Sequence, residues 1–528
     1  MFETIISNAR IVDGTGAPWF RADLGLDDGK IVAVGRLASH EAKQRIEAKD
    51  RVVSPGFIEI HGHSDATLLI NPRAESSVHQ GVTTECTGNC GYSLFPVTEN
   101  NREMISNQFS SFVPDFEITW RSLEELGSVY ASRGLAVNLV PLVGHNTIRA
   151  AIKGPVMDPP TEEELREMQS LITEAMSQGA RGLSSGLEYP PGSAADTGEL
   201  IALASAVSPF NGRYVSHIRN RDVRYLEAIQ EALAIGRQTG TAVQISHNVA
   251  KIGAPDGVMQ QVLDLIVQAR EEGLDAAFDL GAYLGGQTTP LASLPPWALD
   301  GGPEKTLRCL ADPETRARMK AYEYPIWRII KLGLWDKVRV AAARNNRDLI
   351  GQTFAEIARK QRKDPYDVLF DLLLSEGGGF YDVMWEGEIY TSENRDLVLK
   401  HPLSSVCCDG RTLAPYGPLA QRDYHHVYSW MPYLLRHHVR ERKLLSLEEA
   451  VRKVTSSPAA RLGLSDRGVI RESLAADLVI FDPETIQDRA TLEDPHLYPE
   501  GIQAVFVNGR LVCENGEHTG ALPGRILT

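Results

Sequence analysis

Hydrophobic and polar positions follow two different rhythms along this chain. The first fifty residues alternate loosely, as in Thr4–Val12, and Asp27-Asp28-Gly29-Lys30 sits between two apolar runs as a hairpin turn does. The last sixty behave the same way: Ala476–Phe481 reads as one strand, and Ala504–Val507 leads into an Asn508-Gly509 turn. Two all-β ends around a different middle predict a small β-domain built from both termini, residues 1–54 and 467–528. The middle, residues 55–466, alternates apolar strands with amphipathic helices. Strands are predicted at Phe57–His61, Val82–Gly88, Ala136–Leu142, Ala180–Ser185, Arg213–His217, Ala242–His247, Ala276–Leu280 and Ser404–Asp409. Helix starts are marked by Thr161 with Glu164 and by Ser446 with Glu449, both at capping-box spacing; Leu165, Met168, Leu171, Ile172 and Ala175 form one apolar stripe. Eight strand–helix repeats in an α/β middle predict a (β/α)8 TIM barrel. A doubly wound open sheet is the rival, but no Gly-rich phosphate loop follows the first strand. Residues 288–346, with Pro295-Pro296-Trp297 and a run of Trp, Tyr and Arg, fit neither rhythm. They read as an insertion, either over the barrel mouth or at its periphery.

Composition narrows the class. The chain has 528 residues, 43% apolar, and a formal charge of −15 with no basic tract, which argues against nucleic acid or an anionic membrane as partner. No basic leader followed by an apolar run opens the chain, and no stretch approaches the ~20 apolar residues of a spanning helix. Six cysteines are too dilute for a disulfide scaffold. A reduced, cytoplasmic protein is expected.

Candidate chemistry lies at the predicted strand ends. His61 and His63, separated by one residue, point to the same side of an extended chain and can reach one cation. His217 and His247 each finish a strand, about one β-α step apart, and Asp409 follows the last strand. Interiors of parallel strands favour Val, Ile and Leu, so polar residues at these ends point to a shared metal-binding mouth. Cys90, just past the second strand, is suited to metal ligation as thiolate, whereas Cys86, Cys407 and Cys408 read as packing residues. No strand end carries a lysine that could be carbamylated to bridge two metals.

The chain resembles the amidohydrolase superfamily and, within it, the N-acyl-D-amino-acid deacylases (D-aminoacylases). The resemblance runs through PGFIEIHGHSD (55–65), QGVTTECTGNCG (80–91), VGHNTIR (143–149), RGLSSGLEYPPG (181–192), VSHIR (215–219), QISH (244–247), CDG (408–410), LSLEEAVRKVTSSPAARLGL (445–464) and HTGALPGRIL (518–527). It implies a distorted (β/α)8 TIM barrel with a small β-sandwich formed by both termini, a tight zinc site on Cys90, His217 and His247, and a weaker or empty second site on His61, His63 and Asp409, with the cysteine in place of the carbamylated lysine. It further implies zinc-dependent hydrolysis of a linear amide C–N bond in a small-molecule substrate; whether the chain forms a homo-oligomer is left open by the sequence. Zinc lowers the pKa of water from 15.7 to about 7 and polarises the carbonyl; Asp409 would take the water proton and return it to the amine. His145 and Tyr189 are candidates for steadying the oxyanion or the substrate, and His145 reads equally as structural.

Three positions depart from the family pattern. The lysine expected two residues after the second zinc histidine is Val249, with Lys251 two further on. The arginine expected before a Tyr-Gly pair is Ala414, and the acidic residue of His-x-Arg-x-Glu is Arg221. Lys251, Arg219, Arg221, Arg411 and Arg422 are the cations available to receive a substrate carboxylate in their stead. Trp297, Tyr322, Tyr324 and Trp327 are available to line a pocket for a bulky group. Two enzymatic readings stay open: deacylation of an N-acyl-D-amino acid, and hydrolysis of an aryl or other amide. A cyclic amidase and a non-catalytic barrel are further rivals.

Overall fold

A computed structural model describes residues 1–113, 115–420 and 425–528. Eight parallel strands make the barrel: β1 (Phe57–Glu59), β2 (Val82–Thr87), β3 (Asn138–Pro141 continued by Val143–Gly144), β4 (Gly182–Gly186), β5 (Arg213–His217), β6 (Ala242–Ile245), β7 (Ala276–Gly281) and β8 (Ser404–Cys407). β3 changes partners part-way. Thr84–Thr87 pair with Asn138–Pro141, whereas Leu183 and Ser184 pair with Val143 and Gly144. The distortion is sharpest between β8 and β1, which share no ladder among the described residues. There a side chain closes the seam: the Glu59 carboxylate accepts the His61 N–H at 2.8 Å and the Cys408 N–H at 2.6 Å. The His63 N–H adds a bond to the Gly410 carbonyl at 2.8 Å.

Alternate strand residues serve two cores, as a period of two requires. Phe57, Val82, Leu139 and Leu183 pack with the surrounding helices. Ile58, Cys86, Val140, Val215 and Cys407 form a separate apolar cluster with Leu462, Leu464 and Leu527. Helix Glu162–Ser177 carries a full capping box between Thr161 and Glu164. At Leu447–Val454 only half of one forms: Ser446 caps, and Glu449 turns to Arg452 instead.

Both termini contribute to one nine-stranded sheet, which runs from Glu517–His518 through Leu478–Phe481 and Val52–Pro55 to Lys30–Gly35. Its two-residue turns are as the sequence predicts. Asp28 and Gly29, and likewise Asn508 and Gly509, have φ between 46° and 76°, the left-handed pair that a type I′ hairpin demands.

β7 pairs directly with β8, so everything from 282 to 403 lies outside the barrel sheet. This excursion is longer than the predicted 288–346. It contains a three-stranded antiparallel sheet, Gly285–Thr288, Met384–Glu388 and Val338–Ala342, with helices that include Phe354–Gln361 and Pro365–Glu376. No helix among the described residues is long and apolar enough to cross a membrane.

Candidate metal centre

The ends of strands β1, β2, β5, β6 and β8 converge. Cys90 Sγ lies 3.2 Å from His61 Nε2, 3.5 Å from His217 Nδ1 and 3.7 Å from His247 Nε2. Asp409 Oδ1 lies 3.2 Å from His63 Nε2 and 3.5 Å from His61 Nε2. Two overlapping donor groups result, His61–Cys90–His247 and His61–His63–Asp409, each with ligand atoms within 4.8 Å of one another. His61 belongs to both, and His217 joins the first through the sulfur.

Backbone conformation aims these side chains. Cys90, His247 and Asp409, each just past its strand, have φ of 51°, 37° and 59°, a region that non-glycine residues seldom occupy. Glycines let the Cys90 loop sink into the mouth: a Cβ on Gly186 would stand 2.0 Å from the Cys90 carbonyl oxygen, and one on Gly144 2.3 Å from that of Gly91.

Buried carboxylates brace the imidazoles from behind. Asp279, on β7, accepts the His247 backbone N–H at 2.7 Å and stands 3.4 Å from His61 Nδ1. Glu188 accepts from His217 Nε2 at 2.7 Å, which leaves Nδ1 facing the sulfur. Such partners fix the tautomer and orientation of a ligating histidine. Asp279 and Glu188, with Glu59 at the seam, were missed as functional residues. Their signal is a single carboxylate inside, or for Glu188 just past, an otherwise apolar or small-residue strand.

The electrostatics set Cys90, His247 and Asp409 in the protonation states of ligands, while at His61 and His63 burial is outweighed by the neighbouring Cys90 and Asp409, which raise both imidazoles. Burial alone would raise the Cys90 thiol, but His61 and His217 pull it well below the ordinary thiol range, towards thiolate. Burial, together with Arg221 and His217, holds His247 well below the usual imidazole value and so neutral. Burial works against the Asp409 carboxylate, yet His61 and His63 outweigh it and keep the group ionised. His247 Nδ1 is buried without a hydrogen-bond partner, and His61 Nδ1 has only the Asp279 carboxylate near it, at 3.4 Å and outside hydrogen-bond geometry. Imidazole, thiolate and carboxylate form a set that suits a borderline cation such as zinc, and the residues present fit one.

The other expected residues are placed unequally. Tyr189 stands at the site: its ring is 4.8 Å from that of His217 and its hydroxyl 2.8 Å from Thr288 Oγ1. Lys251 is there too, bound to Glu188. His145 instead bonds Glu199 at 2.9 Å, beside Arg149 on the same carboxylate. Arg411 lies over the Phe112 ring. Arg219 is engaged by Glu231, and Arg422 falls outside the described residues. Of the aromatics, Trp327 stacks on Trp385 at 4.9 Å inside the excursion, while Trp297 and Tyr324 are exposed on it.

Comparison with known proteins follows this geometry. The amidohydrolase family matches residues 44–513. The chain belongs to the amidohydrolase family. Within it, the chain is 33% identical over 530 residues to an N-acyl-D-aspartate deacylase from Alcaligenes xylosoxydans xylosoxydans, covering 99% of this chain and 94% of that one. It is 32% identical to a D-aminoacylase from the same organism, covering 100% and 97%. Its structure superposes with a TM-score of 0.82 on the N-acyl-D-glutamate deacylase from Bordetella bronchiseptica, complexed with zinc and a phosphonate inhibitor that mimics the tetrahedral intermediate. That match is 29% identical and covers 100% of this chain and 99% of the other. These end-to-end matches place this amidohydrolase in the N-acyl-D-amino-acid deacylase family.

Proposed function

We propose that this amidohydrolase cleaves the amide C–N bond of an N-acyl-D-amino acid, releasing a carboxylate and a D-amino acid. The supporting observation is one sulfur set among three imidazoles, with a carboxylate beside them at the barrel mouth. In this reading Cys90, His217 and His247 hold a tight zinc ion, and His61, His63 and Asp409 hold a second, weaker position. The ion would supply Lewis acidity to the scissile carbonyl and to the attacking water.

The remaining steps belong to the chain's own groups. The Asp409 side chain is 35% exposed and His63 30%, whereas those of His61 and His217 are almost wholly buried, so Asp409 faces incoming water. It takes a proton from that water and returns it to the departing nitrogen, because an amine leaves only when protonated. Burial holds the Tyr189 phenol well above its usual value, so it stays a donor and steadies the charge that develops on the carbonyl oxygen.

The reading extends to a cytoplasmic enzyme in which the terminal strands form a β-sandwich domain, residues 1–54 and 467–528, beside a barrel at 55–466. Amine release from paired N-acetyl-D- and N-acetyl-L-amino acids tests the activity. Turnover of the D series is expected; turnover of L substrates alone would reject it. Asp409→Asn is expected to lower kcat about 1,000-fold, within the range for loss of a general base, with the tight zinc retained. Full activity would exclude the base assignment.

A further inference from the structure

The buried charges behind His217 leave one guanidinium edge unused. Lys251 spends its ammonium fully, reaching the two Glu188 oxygens at 2.8 and 2.7 Å and the Ile326 carbonyl at 2.6 Å. Glu188 in turn holds His217. Arg221 is different. Only its Nη1 is used, on the His247 carbonyl and the Tyr390 hydroxyl, both at 2.7 Å. Its Nη2 comes no closer than 3.9 Å to Glu188, and its Nε is buried with no hydrogen-bond partner. Arg149, Arg181 and Arg213 also leave Nε unused, and of these Arg149 and Arg213 spend both terminal nitrogens.

Glu188 therefore stands between two fixed cations, with the buried Asp222 carboxylate beside Lys251, and none of the Glu188, Lys251 and Arg221 side chains is more than 4% exposed; what stays unused is the Nε–Nη2 edge of Arg221. An unpaired buried charge is costly, and an anion relieves that cost. Nε with Nη2 is the edge of a guanidinium whose two parallel donors match the two oxygens of a carboxylate. Through Nη1 this edge is fixed to the backbone of His247, itself one of the converging imidazoles.

We propose that Arg221 is the receptor for the substrate's carboxylate, which docks on its Nε–Nη2 edge, and that the site accepts one carboxylate rather than two. The inference rests on the N-acyl-amino-acid reading above and adds to it a specificity-determining residue and a substrate class. Lys251, the neighbouring buried cation, is already neutralised by Glu188, and Arg219 by Glu231. Substrates with an uncharged side chain should thus be preferred to acidic ones, unlike those named for the aspartate and glutamate deacylases.

The test compares N-acetyl-D-leucine, its carboxamide N-acetyl-D-leucinamide, and N-acetyl-D-aspartate on the zinc-loaded enzyme, with zinc content measured for every variant. The wild type should favour the leucine acid over its amide by at least about 100-fold in kcat/KM, a conservative value for a site built to bond the missing group. Arg221→Met should collapse that ratio to within a few-fold of unity, through KM for the acid, and Arg221→Lys should restore about tenfold of it as a point charge. The wild-type comparison needs no variant, so a folding defect in Arg221→Met leaves the proposal exposed to refutation. Equal cleavage of acid and amide by the wild type, or an unchanged ratio in Arg221→Met, overturns the receptor. A preference for N-acetyl-D-aspartate over N-acetyl-D-leucine overturns the single-carboxylate claim. Failure to cleave any N-acyl-D-amino acid removes the deacylase reading itself, a result distinct from the others.

Discussion

Two buried networks in this barrel use nearly the same parts to different ends. Behind β3, Glu199 is shared by His145 and Arg149, and Arg149 spends its other terminal nitrogen on the carbonyls of Met157 and Asp158. Behind β5 and β6, Glu188 is shared by His217 and Lys251 with Arg221 nearby, and a guanidinium edge stays open. The first pairs one carboxylate with one guanidinium and is finished by backbone. The second sets Glu188 between two cations, with the buried Asp222 beside Lys251, and leaves the Nε–Nη2 edge of Arg221 without a hydrogen bond. A closed network fixes neighbouring elements; one with an open donor edge is ready for something that arrives.

The contrast breaks most visibly at the two glutamates. Glu188→Gln strands Lys251 and Arg221 and frees the His217 ring. It should cost about 3–5 kcal/mol of stability and weaken zinc binding about 10–100-fold, read by denaturant melts and chelator competition. Stability and affinity both unchanged would remove Glu188 from the site's support. Glu199→Gln should cost about 3 kcal/mol at pH 7 with zinc affinity unaltered. If affinity also fell, the two networks would not be separable.

The pH dependence of the second variant has a definite sign. Burial alone would raise the Glu199 carboxyl, but His145 and Arg149 hold it below the ordinary value of 4.5. Its contribution is therefore complete above pH 4.5 and is lost as pH falls through the lowered value. Melts of wild type and Glu199→Gln should converge in acid; a gap that widened there would contradict the assignment. The smallest effect is expected from pairing Glu188→Gln with Lys251→Met. Removing both charges should recover most of the stability lost in the single variant, to within about 1 kcal/mol of wild type.

Much of this was legible in the chain. The eight strands follow from runs of apolar residues bounded by turns, and the rim residues from histidines standing where such runs end. Two-residue turns at Asp28-Gly29 and Asn508-Gly509 were readable because only a left-handed pair fits there. What escaped were partners. Lys251 looks like a cation free for substrate until folding brings Glu188, 63 residues away, against it. Asp279 hides in an apolar strand because its work, holding the His247 backbone, leaves no periodic trace. The excursion between β7 and β8 was cut short because Phe354–Gln361 and Pro365–Glu376 carry the same amphipathic pattern as barrel helices. The Gly285–Thr288 strand, half glycine, has little pattern to read.

Cys90, His247 and Asp409 hold backbone angles that side chains with a Cβ avoid. Each such residue costs of order 1–3 kcal/mol, which the rest of the barrel must offset. Glycine there would relax the chain and delete a donor in the same stroke. Folding by itself would thus drift these three positions towards residues that do no chemistry; only the demand for a working rim opposes that drift.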